Sequence, residues 1–262
     1  MFQILFLLLS TSAQASSLAS LNWNQTFQTP YEQSEDGPSV RLRNVVSLSA
    51  KPSKTQKIAL NVVSFHDYYG ENRTPESVNA HQWGDLNVKY TDKNLSPFVM
   101  KHRLSAPTRL RSQERGLLTE YKGEFSYTWN LTPKFDLIVY GIPKLPFHQH
   151  PQYRNANGKL KANRAYEVSL ISQLLYQVRD GYVLSWEQGF SQSRYHALND
   201  KPAVSAENFL TTIAAAANVS DRISLAVGVG SETPAGQASF ERPNLFQRDR
   251  ALIYLETSIS MF

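Results

Sequence analysis

Between Ala165 and Val178 every second residue belongs to the set Tyr166, Val168, Leu170, Ser172, Leu174, Tyr176 and Val178, and the interleaved set is Ala165, Glu167, Ser169, Ile171, Gln173, Leu175 and Gln177. A side-chain period of two marks an extended strand whose faces meet different surroundings. Leu117–Leu131 repeats it, with Thr119, Tyr121, Phe125, Tyr127, Trp129 and Leu131 against Glu120, Lys122, Glu124, Ser126, Thr128 and Asn130. Such runs far exceed the roughly five or six residues of an ordinary strand. No stretch keeps the apolar spacing of an amphipathic helix for more than two turns. The fold class is therefore all-β.

The same period along the chain predicts strands near 19–27, 40–50, 57–67, 82–90, 97–104, 117–131, 135–143, 163–178, 182–193, 207–217, 222–231 and 249–262. These lengths suit tilted strands that cross a bilayer, which take about 9–11 residues. The connections alternate. Residues 51–56, 91–96, 132–134, 179–181 and 218–221 are short and carry turn chemistry such as Pro52-Ser53 and Asp180-Gly181, whereas 28–39, 68–81, 105–116, 144–162, 194–206 and 232–248 are long. A soluble sandwich has no reason to gather its long loops at one rim, but an outer-membrane barrel does. The expected architecture is a closed up-and-down antiparallel transmembrane β-barrel of about twelve strands, with ten as the alternative count.

The 262 residues include no cysteine, which removes disulfides, thiol nucleophiles and cysteine-type zinc sites. The one concentrated apolar run, Ile4–Leu9, is too short to span a bilayer as a helix, which takes about 20 residues. Followed by Ser10-Thr-Ser12 and Ala13-Gln14-Ala15, it reads as a signal peptide over residues 1–15, cleaved after Ala15, with 16–262 as a single barrel domain. The mean hydropathy of −0.39 suits a spanning chain in which only alternate residues need be apolar.

Over residues 18–262 the chain resembles the bacterial outer-membrane β-barrel proteins as a class, with Phe262 closing the strand 251–262. The resemblance implies a Gram-negative source, export to the outer membrane, and recognition of the last strand by the barrel-assembly machinery. Phe262 falls out of phase with the apolar face Ala251, Ile253, Leu255, Ile259 and Met261, which points to a bulge or an altered register near the end.

With the apolar parity of each strand outward, the lumen-lining residues are Arg41, Arg43, Lys89, Lys101, Arg103, Glu120, Glu124, Asp136, Glu167 and Glu187, together with Asp85 and Lys122. Strands two to five are basic and strands six to nine acidic, so a basic arc is expected to face an acidic arc across the lumen. Either water fills the barrel and the arcs act on passing solutes, or the arcs meet in ion pairs that fill it. Small inward residues, Ser224, Ala226, Gly228, Gly230, Ala214 and Ala216, favour open space on one side. Tyr90, Trp129, Phe135, Tyr176, Tyr182 and Phe262 at the short-turn end, and Tyr68, Tyr140, Tyr166 and Phe190 at the other, are expected as interfacial girdles.

Candidate chemistry is sparse. The His-x-Ser-Asn-Gly run of the outer-membrane phospholipase A family is missing, and of the paired acids and His-Asp couple of the omptin-type proteases only His66, Asp67 and Asp85 offer an approximation, with His196 a further loop histidine. His148 and His150 could share a metal, but two ligands are too few. No catalytic residue, metal or cofactor is expected. Arg73, Arg109, Arg111, Arg115, Lys144, Arg154, Lys159, Lys161, Arg194, Lys201, Arg242, Arg248 and Arg250 form an expected basic rim suited to the phosphates of lipopolysaccharide; nucleic acid is not an expected partner. The sequence thus points to a narrow channel for small polar or anionic solutes, of the size of the acidic-oligosaccharide porins. The alternatives are a structural or adhesive barrel with a filled lumen and a hydrolase acting on lipid or peptide at the rim.

Overall fold

The computed structural model describes residues 19–30, 40–68, 81–155, 158–198, 201–234 and 251–261. In chain order the elements are β1 (Ala19–Pro30), β2 (Val40–Ala50), β3 (Gln56–Tyr68), β4 (His81–Trp83), β5 (Leu86–Asp92), β6 (Phe98–Ala106), a short helix α1 (Leu110–Glu114), β7 (Leu117–Thr132), β8 (Phe135–His148), β9 (Gln152–Arg154), β10 (Leu160–Ala162), β11 (Arg164–Arg179), β12 (Tyr182–Tyr195), β13 (Ser205–Asn218), β14 (Ile223–Pro234) and β15 (Ala251–Ser260). Apart from the separate hairpin β9–β10, each strand pairs antiparallel with its sequence neighbour, and β15 pairs with β1 from Asn22↔Ser260 to Pro30↔Leu252. With β4 and β5 counted as one interrupted strand, this is a closed twelve-stranded up-and-down barrel. Among the described residues no helix is long and apolar enough to cross a membrane.

The two faces of the wall are unlike. In β11, Val168 and Leu170 are 48% and 61% exposed, while their neighbours Glu167 and Ser169 are 9% and 5%. Side chains on the concave face of a closed barrel crowd one another, so the exposed set is the outer one. Val62, Val88, Leu104, Leu184, Trp186, Ile213, Val227 and Leu255 extend it around the wall. Among the described residues the buried apolar side chains are only Ala59, Val63 and Ala251, fewer than the buried polar ones. The polar inside and apolar outside invert a soluble fold, as lipid requires.

Several expectations change in detail. The strand expected at 82–90 is broken: the pairing passes from Ser64↔Trp83 to Asn61↔Asn87, so β4–β5 carries one residue more than β3 over the same span, a β-bulge at Gly84–Leu86. Strand β8 does not stop at 143 but runs through Pro143 and Pro146 to His148, which takes Lys144 out of the loop and into the wall. Tyr140 leaves the expected girdle, because it shares the inner face with Asp136 and Lys144 and donates a hydrogen bond to Gln173 at 2.7 Å. At the short-turn end, Phe135 stacks on Tyr176 with ring centroids 4.6 Å apart. β15 pairs with both neighbours without a register shift, so no bulge occurs within Ala251–Ser260. Phe262 and the expected cleavage site after Ala15 lie outside the described residues. The tight turn at Asp180-Gly181 forms as read, with Gly181 at φ 76°, where a residue with a Cβ would be strained.

If the faces are as described, Leu170→Arg, which puts a charge toward the hydrocarbon, lowers the unfolding free energy in lipid vesicles by about 2–4 kcal/mol. Ile171→Arg, on the inner face, costs much less. Urea titration followed by tryptophan fluorescence checks this, and equal losses would contradict the face assignment.

Candidate functional site

Antiparallel register puts directly opposite residues on the same face with Cβ atoms about 4.5–5.5 Å apart. Following one rung across the wall from β5 to β8 meets Lys89↔Arg103, Arg103↔Lys122 and Lys122↔Lys144, four cations on four adjacent strands, before Lys144↔Glu167 ends the row on β11. Like charges directly opposite destabilise a sheet, so this row needs anions nearby. Carboxylates supply part of the compensation. Arg103 donates to Glu120 at 2.8 Å, Lys101 pairs with Glu124, and Lys144 and Arg164 both pair with Glu167, to which Ser193 also donates at 3.3 Å. On the far side of β3, Arg41 binds Asp67 through two hydrogen bonds of 2.6 and 2.8 Å.

Charge on this face is thus organised differently from the two opposed arcs read from the sequence. The acidic residues Glu120 and Glu124 on β7 neutralise Arg103 and Lys101 on the adjacent strand, because the boundary between the basic and acidic stretches falls at the β6–β7 seam. Asp136 accepts from Asn130 at 2.7 Å, beside the β7–β8 turn. Three of the sequence-assigned cations, Arg43, Lys89 and Lys122, make no ion pair among the described residues, and neither does Glu187. Sequence reading missed Asp67, Lys144 and Arg164 as inner-face residues; strict parity carried from Arg41, and β8 carried through its prolines, would have found the first two.

At the long-loop end the wall is roofed from within. The bulge aims Asp85 at the start of α1: one carboxylate oxygen accepts the backbone N–H of Arg109 at 2.9 Å and the other the hydroxyl of Ser112 at 2.7 Å. The Arg109 guanidinium lies over the Phe65 ring at 5.0 Å. Burial, and then Arg111 and Arg41, push that guanidinium below its ordinary value, which still leaves it charged. Only glycine fits at 84, since a Cβ there would meet Val63 Cβ at 2.8 Å. A second contact joins two loops. Asn163, 2% exposed, donates to the carbonyls of Arg115 and His150 at 2.9 and 2.8 Å, and its own carbonyl accepts from His196 N at 3.0 Å. Between these two ties lies a cavity of about 250 Å³ lined by Arg115, Glu120, His148, Tyr153, Arg164 and Tyr195.

The expected rim is correspondingly thinner. Arg109 is held over Phe65, Arg115 over Tyr153 at 5.3 Å, and Lys144 is in the wall, while Arg73, Arg242, Arg248 and Arg250 lie outside the described residues. The hydrolase candidates come apart. Asp67 is taken by Arg41 and Asp85 by the α1 loop, while His66 packs on Tyr68 at 4.6 Å on the opposite face from Asp67. His148 Nδ1 donates to the Arg115 carbonyl at 3.3 Å, and no group of three or more potential metal ligands occurs among the described residues.

Deeper in the barrel two cavities adjoin. One, of about 600 Å³, is lined by Glu187, Asn208, Thr212, Glu232 and Tyr254; the other, of about 370 Å³, by Lys122, Lys144, Arg164 and Glu167; Leu210 and Glu232 border both.

No family model and no curated protein matches the sequence. The fold is that of bacterial outer-membrane β-barrels. A crystal structure of an outer-membrane channel from Pseudomonas putida F1 superposes with a TM-score of 0.58 at 11% identity, covering 93% of this chain and 96% of that one. The KdgM porin, solved in complex with disordered oligogalacturonate, gives 0.49 at 10% identity over 93% of this chain and 99% of its own, and the NanC porin 0.48 at 9% over 92% and 100%.

Asp85→Ala removes two hydrogen bonds to a carboxylate, each worth about 1.5–3 kcal/mol. Trypsin cleavage of the folded protein after Arg109, Arg111 or Arg115 is expected to speed up by about tenfold or more, and an unchanged rate would show that the α1 loop is held by other contacts.

Proposed function

We propose that the protein is an outer-membrane channel, narrow and water-filled, for small polar or anionic solutes. The observation that carries this reading is the row Lys89, Arg103, Lys122 and Lys144, in which two cations have no carboxylate partner among the described residues, beside cavities of about 600 and 370 Å³ inside the barrel. Cations held without neutralisation on the wall of a wet pore concentrate anions and slow cations. Arg41, Arg43, Lys89, Lys101, Arg103, Glu120, Glu124, Asp136, Glu167 and Glu187 are its proposed lining. In the same reading the chain is exported after cleavage at Ala15 and inserted through its 251–262 strand, with its short turns facing the periplasm and the cations Arg111, Arg154, Lys159, Lys161 and Lys201 of the long-loop end, with Arg194 at the end of β12, toward lipopolysaccharide phosphates. The β6–β7 and β8–β11 ion pairs favour a second reading, a barrel rigidified by its charge network with no transport.

Purified protein in planar bilayers decides between them. Under a KCl gradient the channel reading expects a reversal potential on the anion side, moved toward the cation side by Lys89→Gln with Lys122→Gln, because these two lose charge without stranding a carboxylate. Absence of current from protein shown to be folded would favour the rigid barrel, and a reversal potential unmoved by the double variant would remove the cation row from the pore.

A further inference from the structure

The two adjoining cavities carry opposite charge. Among the described residues the larger is lined by the carboxylates of Glu187 and Glu232 and by no cation, with Asn208 and Thr212 as neutral polar groups and the Tyr254 ring along one side. The smaller is lined by Lys122, Lys144 and Arg164, with Glu167 as internal counter-charge for the latter two. Leu210 and Glu232 border both, so strands β13 and β14 here face β7, β8 and β11 across the lumen. Among the described residues Glu187, Glu232 and Lys122 make no ion pair. The Tyr254 ring that borders this cavity is seated on the β14 backbone, since a Cβ on Gly228 would come within 2.5 Å of it and 2.8 Å of Ala214 Cβ.

We infer that this paired cavity is a binding site for small zwitterions, compounds with an ammonium and a carboxylate joined by a short chain, the ammonium held by Glu187 and Glu232 and the carboxylate by Lys122 and Lys144. This rests on the channel reading and narrows its solute class. A monoanion drawn to Lys122 is repelled by Glu232, and a monocation drawn to Glu187 meets the cation row. A zwitterion satisfies both walls at once, and discrimination between partners follows from the repulsive contacts as much as the attractive ones.

The test is block of ion current through the purified full-length protein in planar bilayers by 4-aminobutanoate, with butanoate and butylammonium as matched single charges. The zwitterion is expected to halve the current at a concentration about tenfold below either single charge. In Glu187→Gln with Glu232→Gln that advantage over butanoate is expected to fall below about twofold, while butanoate blocks more strongly because a repelling carboxylate is gone. Lys122→Gln should weaken block by both. Either single Glu→Gln variant, each isosteric, should show an intermediate loss, which keeps the test decisive if the double variant does not fold. Butanoate blocking as well as 4-aminobutanoate, or an advantage that survives the double variant, overturns the zwitterion site and leaves an anion-selective channel standing. Folded protein that passes no current overturns the channel reading and this inference with it.

Discussion

Every structural feature described above depends on the pairing of β1 with β15. Lipid offers no hydrogen-bond partner to a peptide group, and each unmet N–H or C=O in hydrocarbon costs several kcal/mol. The unbroken register from Asn22↔Ser260 to Pro30↔Leu252 leaves the wall without an edge. Closure also decides what the inside can be. Once side chains of one parity point at a common axis, they face each other rather than a second layer, so they can be polar and charged without a hydrophobic counterpart.

Within that enclosure, electrostatics is settled locally before it is settled across the lumen. A carboxylate on the same or the next strand is a much nearer partner than one on the opposite wall, which is why Lys101 and Arg103 turn to Glu124 and Glu120 and why Lys144 and Arg164 share Glu167. The charges left over are then the informative ones. Among the described residues Lys89 and Lys122 on one side, and Glu187 and Glu232 on another, keep a field that no ion pair cancels, whereas the paired residues tie neighbouring strands together.

Most of the wall was legible in the sequence because a strand with lipid on one side writes its orientation into every second residue. The parity of Glu120, Lys122 and Glu124, or of Glu167 and Ser169, needed no tertiary information. What was not legible had two causes. The strand expected at 135–143 continues because Pro143 and Pro146 each remove a single ladder donor while their neighbours go on pairing, with Pro143 opposite Val168 and Pro146 opposite Glu120, so Lys144 lies in the wall and not in the expected loop. The inward fold of the α1 loop depends on Asp85, Arg109 and Phe65 meeting from three separate segments, and on a one-residue bulge that no local period announces. Loop cations therefore looked like a continuous rim when some of them are tied inside.

The scarcity of buried apolar side chains, Ala59, Val63 and Ala251 among the described residues, has a consequence for how such a chain can change over time. In a soluble domain each core residue is constrained by the shapes of those around it, and one methylene too many or too few is felt. Here the outer residues need only be apolar, since fluid lipid conforms to any shape, and the inner ones need only avoid stranding a charge. Very few positions are fixed by their neighbours' volumes. A wall built this way can be shared at 11% identity with the Pseudomonas putida channel, and the residues on its inner face are left free to change so long as no charge is stranded.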